Sequence, residues 1–152
     1  MIDDLDRIMA VMGASFDPIY GEAWNRRQVE DALKFGNTHY HILCAQGHTP
    51  ADNESAAGFF LSRTGFEEEE LLLLAVIPES RGRGLGRKLL EVLRSGARER
   101  GAHRLLLEMR KGNPAELLYR NFGFSPIGER REYYRTPSGE RLDALTFAHD
   151  IG

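Results

Sequence analysis

Two groups of residues in this chain have types and spacings suited to chemistry. The first is Arg81-Gly82-Arg83-Gly84-Leu85-Gly86-Arg87, a basic, glycine-rich turn between the apolar run Leu71 to Ile77 and a long amphipathic stretch. Glycines at 82, 84 and 86 let backbone N–H groups approach a ligand without a Cβ in the way. The positive end of a helix, with arginines beside it, favours phosphate oxygens. A ligand carrying a pyrophosphate is expected to dock there. The second is Glu108, a carboxylate within the apolar sequence Leu105-Leu106-Leu107-Glu108-Met109. Burying a charge needs a reason. An ion pair with Arg110 or Lys111, or a strand face open to solvent, would be the plain one; a general base would be the functional one.

The elements that must position these residues follow from periodicity and breakers. Asp3 or Asp4 caps a helix over about Leu5 to Met12, and a second helix runs from about Asn25 to Phe35, ending at Gly36-Asn37. Strands are expected at Tyr40 to Ala45, Ala57 to Arg63 and Glu69 to Ile77, the last two as antiparallel neighbours, with an exposed loop from Gly47 to Ser55. The unbroken apolar run before Pro78 reads as a strand buried on both faces. A helix from Gly84 to Arg100 and a strand from Leu105 to Met109 complete a right-handed, parallel crossover. Asn113-Pro114 opens a short helix to Phe122, and two strands, Phe124 to Tyr134 and Leu142 to Ile151, flank the turn Thr136 to Gly139. The order is that of an α/β layered fold with a mixed central sheet.

The glycine spacing separates the known anion turns. A P-loop needs Lys and then Ser or Thr after its last glycine, whereas Gly86 is followed by Arg87-Lys88-Leu89; a dinucleotide fingerprint needs G-x-G-x-x-G, and here the pattern is G-x-G-x-G. What remains, R-x-x-G-x-G after a buried strand, resembles the acyl-CoA-binding signature of the GNAT family of N-acetyltransferases, over nearly the whole chain. The resemblance implies a three-layer fold with a mostly antiparallel sheet and two splayed parallel central strands, ending near Val76 and Glu108. Acetyl-CoA is then the cosubstrate. Its pantetheine would lie in the gap like an added strand, bonded by backbone atoms of Leu74, Ala75 and Val76. Arg81, Gly82, Arg83, Gly84, Leu85, Gly86 and Arg87 would hold the pyrophosphate, with Asn113 and Tyr119 also against the cofactor.

Moving an acetyl group from a thioester to an amine needs a neutral amine and a protonated leaving thiolate. Glu108 suits the base, and Tyr119, on the short helix after Asn113, suits the acid. For Tyr119 the alternative is a core tyrosine behind Leu117-Leu118; for Asn113 it is a helix cap, and the two uses are compatible. No activated cysteine or serine is visible, so the amine is expected to attack directly. Leu107-Glu108-Met109-Arg110, Leu118-Tyr119-Arg120-Asn121-Phe122-Gly123-Phe124 and Arg131-Glu132-Tyr133-Tyr134 look like the bacterial N-terminal acetyltransferases that modify the alanine terminus of ribosomal protein S18. That likeness implies a protein α-amine as acceptor. The segment from Asn113 to Tyr119 is one residue shorter than the family spacing, and the loss is expected to be absorbed near Asn113. Acetylation of a small amine, or a non-catalytic acyl-CoA module, are the alternatives.

At 152 residues the chain is expected to form one domain, 1–152. A net charge of −3 argues against a general nucleic-acid binder, and no apolar stretch reaches membrane-spanning length. The acidic start Met1-Ile2-Asp3-Asp4 lacks a signal-peptide pattern, so a cytoplasmic protein, monomer or homodimer, is expected. Cys44 reads as a small core residue in a strand-like run. No metal site is expected, because His39 and His41 share a strand face without a third ligand. Glu67 to Glu70 read as solvated charge at a strand entry. Phe16 to Trp24 and Tyr133 to Gly139 are expected to wall the acceptor groove, with Trp24 a core anchor and one of Tyr133 and Tyr134 facing the groove.

Overall fold

A computed structural model describes residues 2–152. Its helices are α1 (Asp4–Ser15), α2 (Arg26–Leu33), α3 (Leu85–Glu99) and α4 (Glu116–Phe122), and its strands are β1 (Thr38–Leu43), β2 (Gly58–Thr64), β3 (Glu68–Val76), β4 (Arg104–Arg110), β5 (Ser125–Arg135) and β6 (Arg141–Asp150). Asp3 caps α1 by accepting the Asp6 N–H at 2.7 Å. Asn25 and Gln28 form a reciprocal capping box on α2. α1 runs on to Ser15 and α2 stops at Leu33, and two further ends differ from the sequence reading for a visible reason. β1 stops at Leu43, because Cys44 N–H donates to His48 O at 2.8 Å and Gly47 N–H to Cys44 O at 3.0 Å, turning the chain out of the sheet. α4 begins at Glu116 rather than at Asn113-Pro114. The Asn113 carboxamide oxygen accepts the Ala115 N–H at 2.9 Å, making a separate turn ahead of the helix.

The sheet order is β1-β2-β3-β4-β6-β5, all antiparallel except β3–β4. α3 and α4 cover one face, over a core that includes Phe60, Leu89, Leu90, Leu93, Leu105 and Phe147. α1 and α2 cover the other over Ile8, Val11, Val29, Phe59 and Leu61. The apolar run of β3 serves both layers through a bulge. Leu61 pairs with Leu73 and Ser62 with Leu71, leaving Leu72 without an opposite residue. The extra residue switches parity. Leu71 therefore joins the α3 core while Leu73 and Ala75 join the α1 core.

The parallel pair is short. Glu68 to Leu71 pair with Arg104 to Leu107, and beyond that point β3 continues only along β2 and β4 only along β6. The two central strands therefore part, as expected, and the opening between them organises everything that follows.

The acidic entry to β3 departs from the solvated-charge reading. Glu69 is fully buried and accepts from Ser62 Oγ at 2.7 Å and from Arg100 Nε and an Arg100 terminal nitrogen at 2.8 and 2.7 Å. Glu68 and Glu70 pair with Arg104 and Arg63. Burial alone would raise the Glu69 carboxyl, but the Arg100 and Ser62 hydrogen bonds outweigh it and hold the group below the usual carboxylate range. A group lowered on folding stabilises above its unfolded pKa and loses that contribution as pH falls. Glu69→Ala should cost about 2–4 kcal/mol at neutral pH, on the low side for a broken buried pair. Arg100, 30% exposed, can turn to water. In thermal melts the deficit should shrink below roughly pH 4, near the ordinary carboxyl value.

Candidate active site

Where β3 and β4 part, a cleft of about 1120 Å³ runs between them from the glycine turn to the β5–β6 hairpin. The side chains that the parity switch leaves half-buried on β3, Leu72, Leu74 and Val76, line it. Backbone parity on β3 decides which groups are free. Ile77 N–H donates to Ala57 O at 2.8 Å, so by the alternation of an antiparallel ladder Ala75 and Leu73 turn their N–H and C=O groups to β2. Leu74 and Val76 turn theirs into the cleft. Of the three expected backbone partners, Ala75 is thus engaged within the sheet.

The glycine turn sits at the other end. Gly82 and Gly84 adopt left-handed φ values of 77° and 81°, and Gly84 is the residue before α3. No side chain caps α3, so the N–H groups of Leu85, Gly86 and Arg87 open on the cleft as an uncompensated positive helix end. Gly86 has a second reason to lack a side chain: a Cβ there would lie 2.9 Å from Leu118 Cδ2, where α4 packs on α3. The arginines divide. Arg81 is committed structurally, donating to Val76 O and Ser15 O, both at 3.0 Å, which ties the turn to β3 and to the end of α1. Arg83 does not line the cleft. Arg87 does, with its guanidinium 3.3 Å from Glu91 and over the Phe122 ring.

Midway along the cleft lie Glu108, Asn113 and Tyr119. Alternation along β4 packs Leu105, Leu107 and Met109 into the α3 core and turns Glu108 to the other face, where it is half-buried. Neither plain explanation by ion pairing holds: Arg110 pairs with Glu22 at 3.2 Å and Lys111 with Glu129 at 3.4 Å. The hydrogen bond to Glu108 comes from Thr146 Oγ1 at 3.4 Å. Among the described residues, Glu108 has no cation at ion-pair distance. Tyr119 is both a core residue and a lining residue; its ring packs edge-on against Phe124, and burial, with the charge of Glu22 second, pushes its phenol up. Asn113 is held by its own turn, its carboxamide oxygen on the Ala115 N–H.

The end of the cleft expected to take the acceptor is walled by Ser15 to Asp17, by Tyr20 to Trp24 and by Tyr134 and Arg135, whereas Tyr133 and residues 136–139 do not line it. The two walls touch: a Cβ on Gly21 would lie 3.2 Å from Pro137. Trp24 packs on the α1 core and also faces the cleft. Tyr134 lines the cleft while Tyr133 is 52% exposed. A local irregularity sets this. Between Arg130 and Tyr134 β5 spends four steps against two on β6, Glu132 takes φ 51°, and its N–H is held by Asp143 Oδ1 at 2.9 Å. Burial, then the charges of Glu108 and Glu22, push the Tyr134 phenol up. Glu22 was not singled out in the sequence; it lies in an irregular loop without periodicity. It is half-buried beside the site, with Arg110 paired to it and stacked 3.6 Å over the Tyr20 ring.

With this geometry in place, a sequence model for the acetyltransferase (GNAT) domain matches residues 39–126. The chain belongs to the GNAT family. It is 36% identical over 97 residues to the [ribosomal protein bS18]-alanine N-acetyltransferase of Haemophilus influenzae and 39% identical over 100 residues to the protein of that name from Escherichia coli. These segments are 64% and 65% of this chain and span 66% and 67% of the two relatives. The crystal structure of the Escherichia coli ribosomal-protein-S18-alanine N-acetyltransferase superposes with a TM-score of 0.77 at 27% identity, covering 99% of this chain and 91% of that one. A GNAT fold thus accounts for the mixed sheet, its single parallel pair and the parted strands.

Proposed function

We propose that this chain transfers an acetyl group from acetyl-CoA to a protein N-terminal α-amine, that of the alanine of ribosomal protein S18, in the cytoplasm. The observation that carries the reading is the parting of β3 and β4 beyond Leu71 and Leu107, which leaves a lined cleft with an unpaired carboxylate on its bank. The backbone groups of Leu74 and the N–H of Val76, whose carbonyl oxygen is held by Arg81, suit the pantetheine amides, and the open N–H groups of Leu85, Gly86 and Arg87 suit the pyrophosphate. Acetyl-CoA therefore fits as cosubstrate. The names of the relatives support the acceptor.

In the proposed reaction Glu108 takes a proton from the incoming ammonium, directly or through water, and the neutral nitrogen attacks the thioester carbonyl. A C–N bond forms and the C–S bond breaks; the second nitrogen proton is lost to solvent, and the thiolate leaves beside Tyr119, whose phenol supplies a proton that solvent returns. An α-amine, with a pKa near ~7.7–8.0 against ~10.4 for lysine, asks little of a carboxylate base. The unpaired charge of Glu108 also attracts the cationic terminus before deprotonation.

Incubation with acetyl-CoA and a peptide carrying the S18 N-terminus should add one acetyl mass at the α-amine. No gain, with a control enzyme active on the same peptide, would remove that acceptor; calorimetric binding of CoA without transfer to any amine would leave only an acyl-CoA module. Gly84→Ala should weaken acetyl-CoA binding by about tenfold by calorimetry. A Cβ in the left-handed conformation costs about 1–2 kcal/mol, and relief of that strain would disturb the N–H cradle.

A further inference from the structure

Away from the cleft, the hairpin joining β1 to β2 gathers a thiol, an imidazole and a carboxylate. Cys44 Sγ lies 3.4 Å from His48 Nδ1 and 3.5 Å from Nε2, and His48 Nδ1 lies 3.9 Å from Glu54 Oε1. One ligand atom from each of the three residues lies within 4.8 Å of the other two. Tetrahedral zinc, with bonds of about 2.3 Å to sulfur and about 2.0–2.1 Å to nitrogen or oxygen, requires S···N and N···O edges of about 3.6 and 3.3 Å. The first edge already has its length. The second needs closure by about half an ångström, a small rotation for an imidazole whose side chain is 61% exposed.

Two of the three candidate ligands, Cys44 and Glu54, are also held from behind. Cys44 is buried at the end of β1, with its N–H on His48 O. His48 Nδ1 is the ring atom near both Sγ and Glu54 Oε1; as the ligand atom it carries the lone pair, the ring proton sits on Nε2, and the 3.0 Å contact with Thr49 O is given up. Glu54 Oε1 accepts the Ala51 N–H at 3.0 Å. The loop between them is anchored by the buried Arg7, which donates to the carbonyl oxygens of Ala51, Asp52 and Glu54 at 2.6, 3.1 and 3.1 Å. Such outer contacts lower the ordering cost that a loop-borne site otherwise carries.

We propose that Cys44, His48 and Glu54 bind a divalent cation of the zinc class, with water as fourth ligand. On binding, the Cys44 thiol releases its proton to solvent and coordinates as thiolate. Thiolate and carboxylate together then balance the charge of the dication, and imidazole and thiolate select a borderline-soft ion over magnesium or calcium. The site fastens the hairpin loop to the end of β1. The proposal is independent of the acetyl-transfer reading.

Cobalt(II) added to the full chain is the probe. Wild type should develop thiolate-to-cobalt charge-transfer absorption in the near ultraviolet, saturating at one equivalent and abolished by zinc. Cys44→Ala should lose the band. His48→Ala, an exposed substitution that spares the core, should weaken cobalt binding by more than about tenfold. Should Cys44→Ala fail to fold, His48→Ala alone still decides. Absence of the band in wild type, or cobalt affinity unchanged in His48→Ala, would overturn the proposal.

Discussion

Glu108→Gln should lower the rate of acetyl transfer to an N-terminal peptide by about 10²–10⁴-fold, the range for loss of a positioned general base, while acetyl-CoA binding stays within about twofold. Glutamine keeps the size of the side chain and can keep a contact with Thr146 Oγ1, so the fold and the cofactor cleft are spared. A second reading separates lost base catalysis from lost structure. Without a base the reaction depends on amine that is already neutral, so the variant's rate should climb with pH through the α-amine pKa of ~7.7–8.0 and then level. A melting temperature equal to wild type with an undiminished rate at neutral pH would remove Glu108 from the mechanism. The prediction has force because Arg110 and Lys111 are each paired elsewhere; a carboxylate neutralised by either would make a weak base and a poor attractor for an ammonium.

Tyr119→Phe should be milder, with turnover down about 10–100-fold and acetyl-CoA affinity nearly unchanged. The reason lies in relative acidity. A thiol ordinarily titrates near ~8.5 and a phenol near ~10, and burial pushes the Tyr119 phenol higher still. Complete proton transfer to a free thiolate is therefore uphill, by at least ~2 kcal/mol from the ordinary values at ~1.36 kcal/mol for each pKa unit. The phenol then contributes chiefly as a hydrogen-bond donor to sulfur as charge develops, with the proton delivered as CoA departs. An acyl donor with a more acidic thiol, whose leaving group needs less help, should narrow the gap between Tyr119→Phe and wild type. An equal deficit with both donors would mean that the lost hydroxyl acts on packing around Phe124 or on Tyr134 instead.

Much of the fold was legible because its signals are local. The apolar run before Pro78, the glycines after it and the helical spacing of Leu85, Leu89 and Leu93 each act within a few residues, through dihedral preference and burial periodicity. The misread ends had local causes too, but subtler ones. Asn113 bonds Ala115 rather than starting the helix, and the turn at Gly47 takes Cys44 out of the strand. Glu69, within the acidic run Glu67 to Glu70, was misjudged for a different reason. The composition of that run suggests solvent exposure, whereas the partner that makes burial of Glu69 tolerable, Arg100, lies thirty-one residues away.

The candidate site divides along the same line. The types and spacing of Arg81 to Arg87 pointed to a pyrophosphate-bearing ligand, and the oddity of a carboxylate at 108 to a base, since they depend on residue chemistry and on one strand–turn–helix; the resemblance to the GNAT family made that ligand acyl-CoA. Only the tertiary structure decided where the strands part, because that is a matter of register among β2, β3, β4 and β6. It alone separated Leu74 and Val76 from Ala75, through one ladder bond at Ile77. It alone put Arg81 to structural use, aimed Tyr134 inward through the Glu132 bulge, and brought the charge of Glu22 within electrostatic reach of both phenols. The physical reason is common to all of these. Backbone conformation is specified largely by neighbours along the chain, whereas which polar groups remain unpaired, and so available to a ligand, depends on contacts between segments distant in sequence.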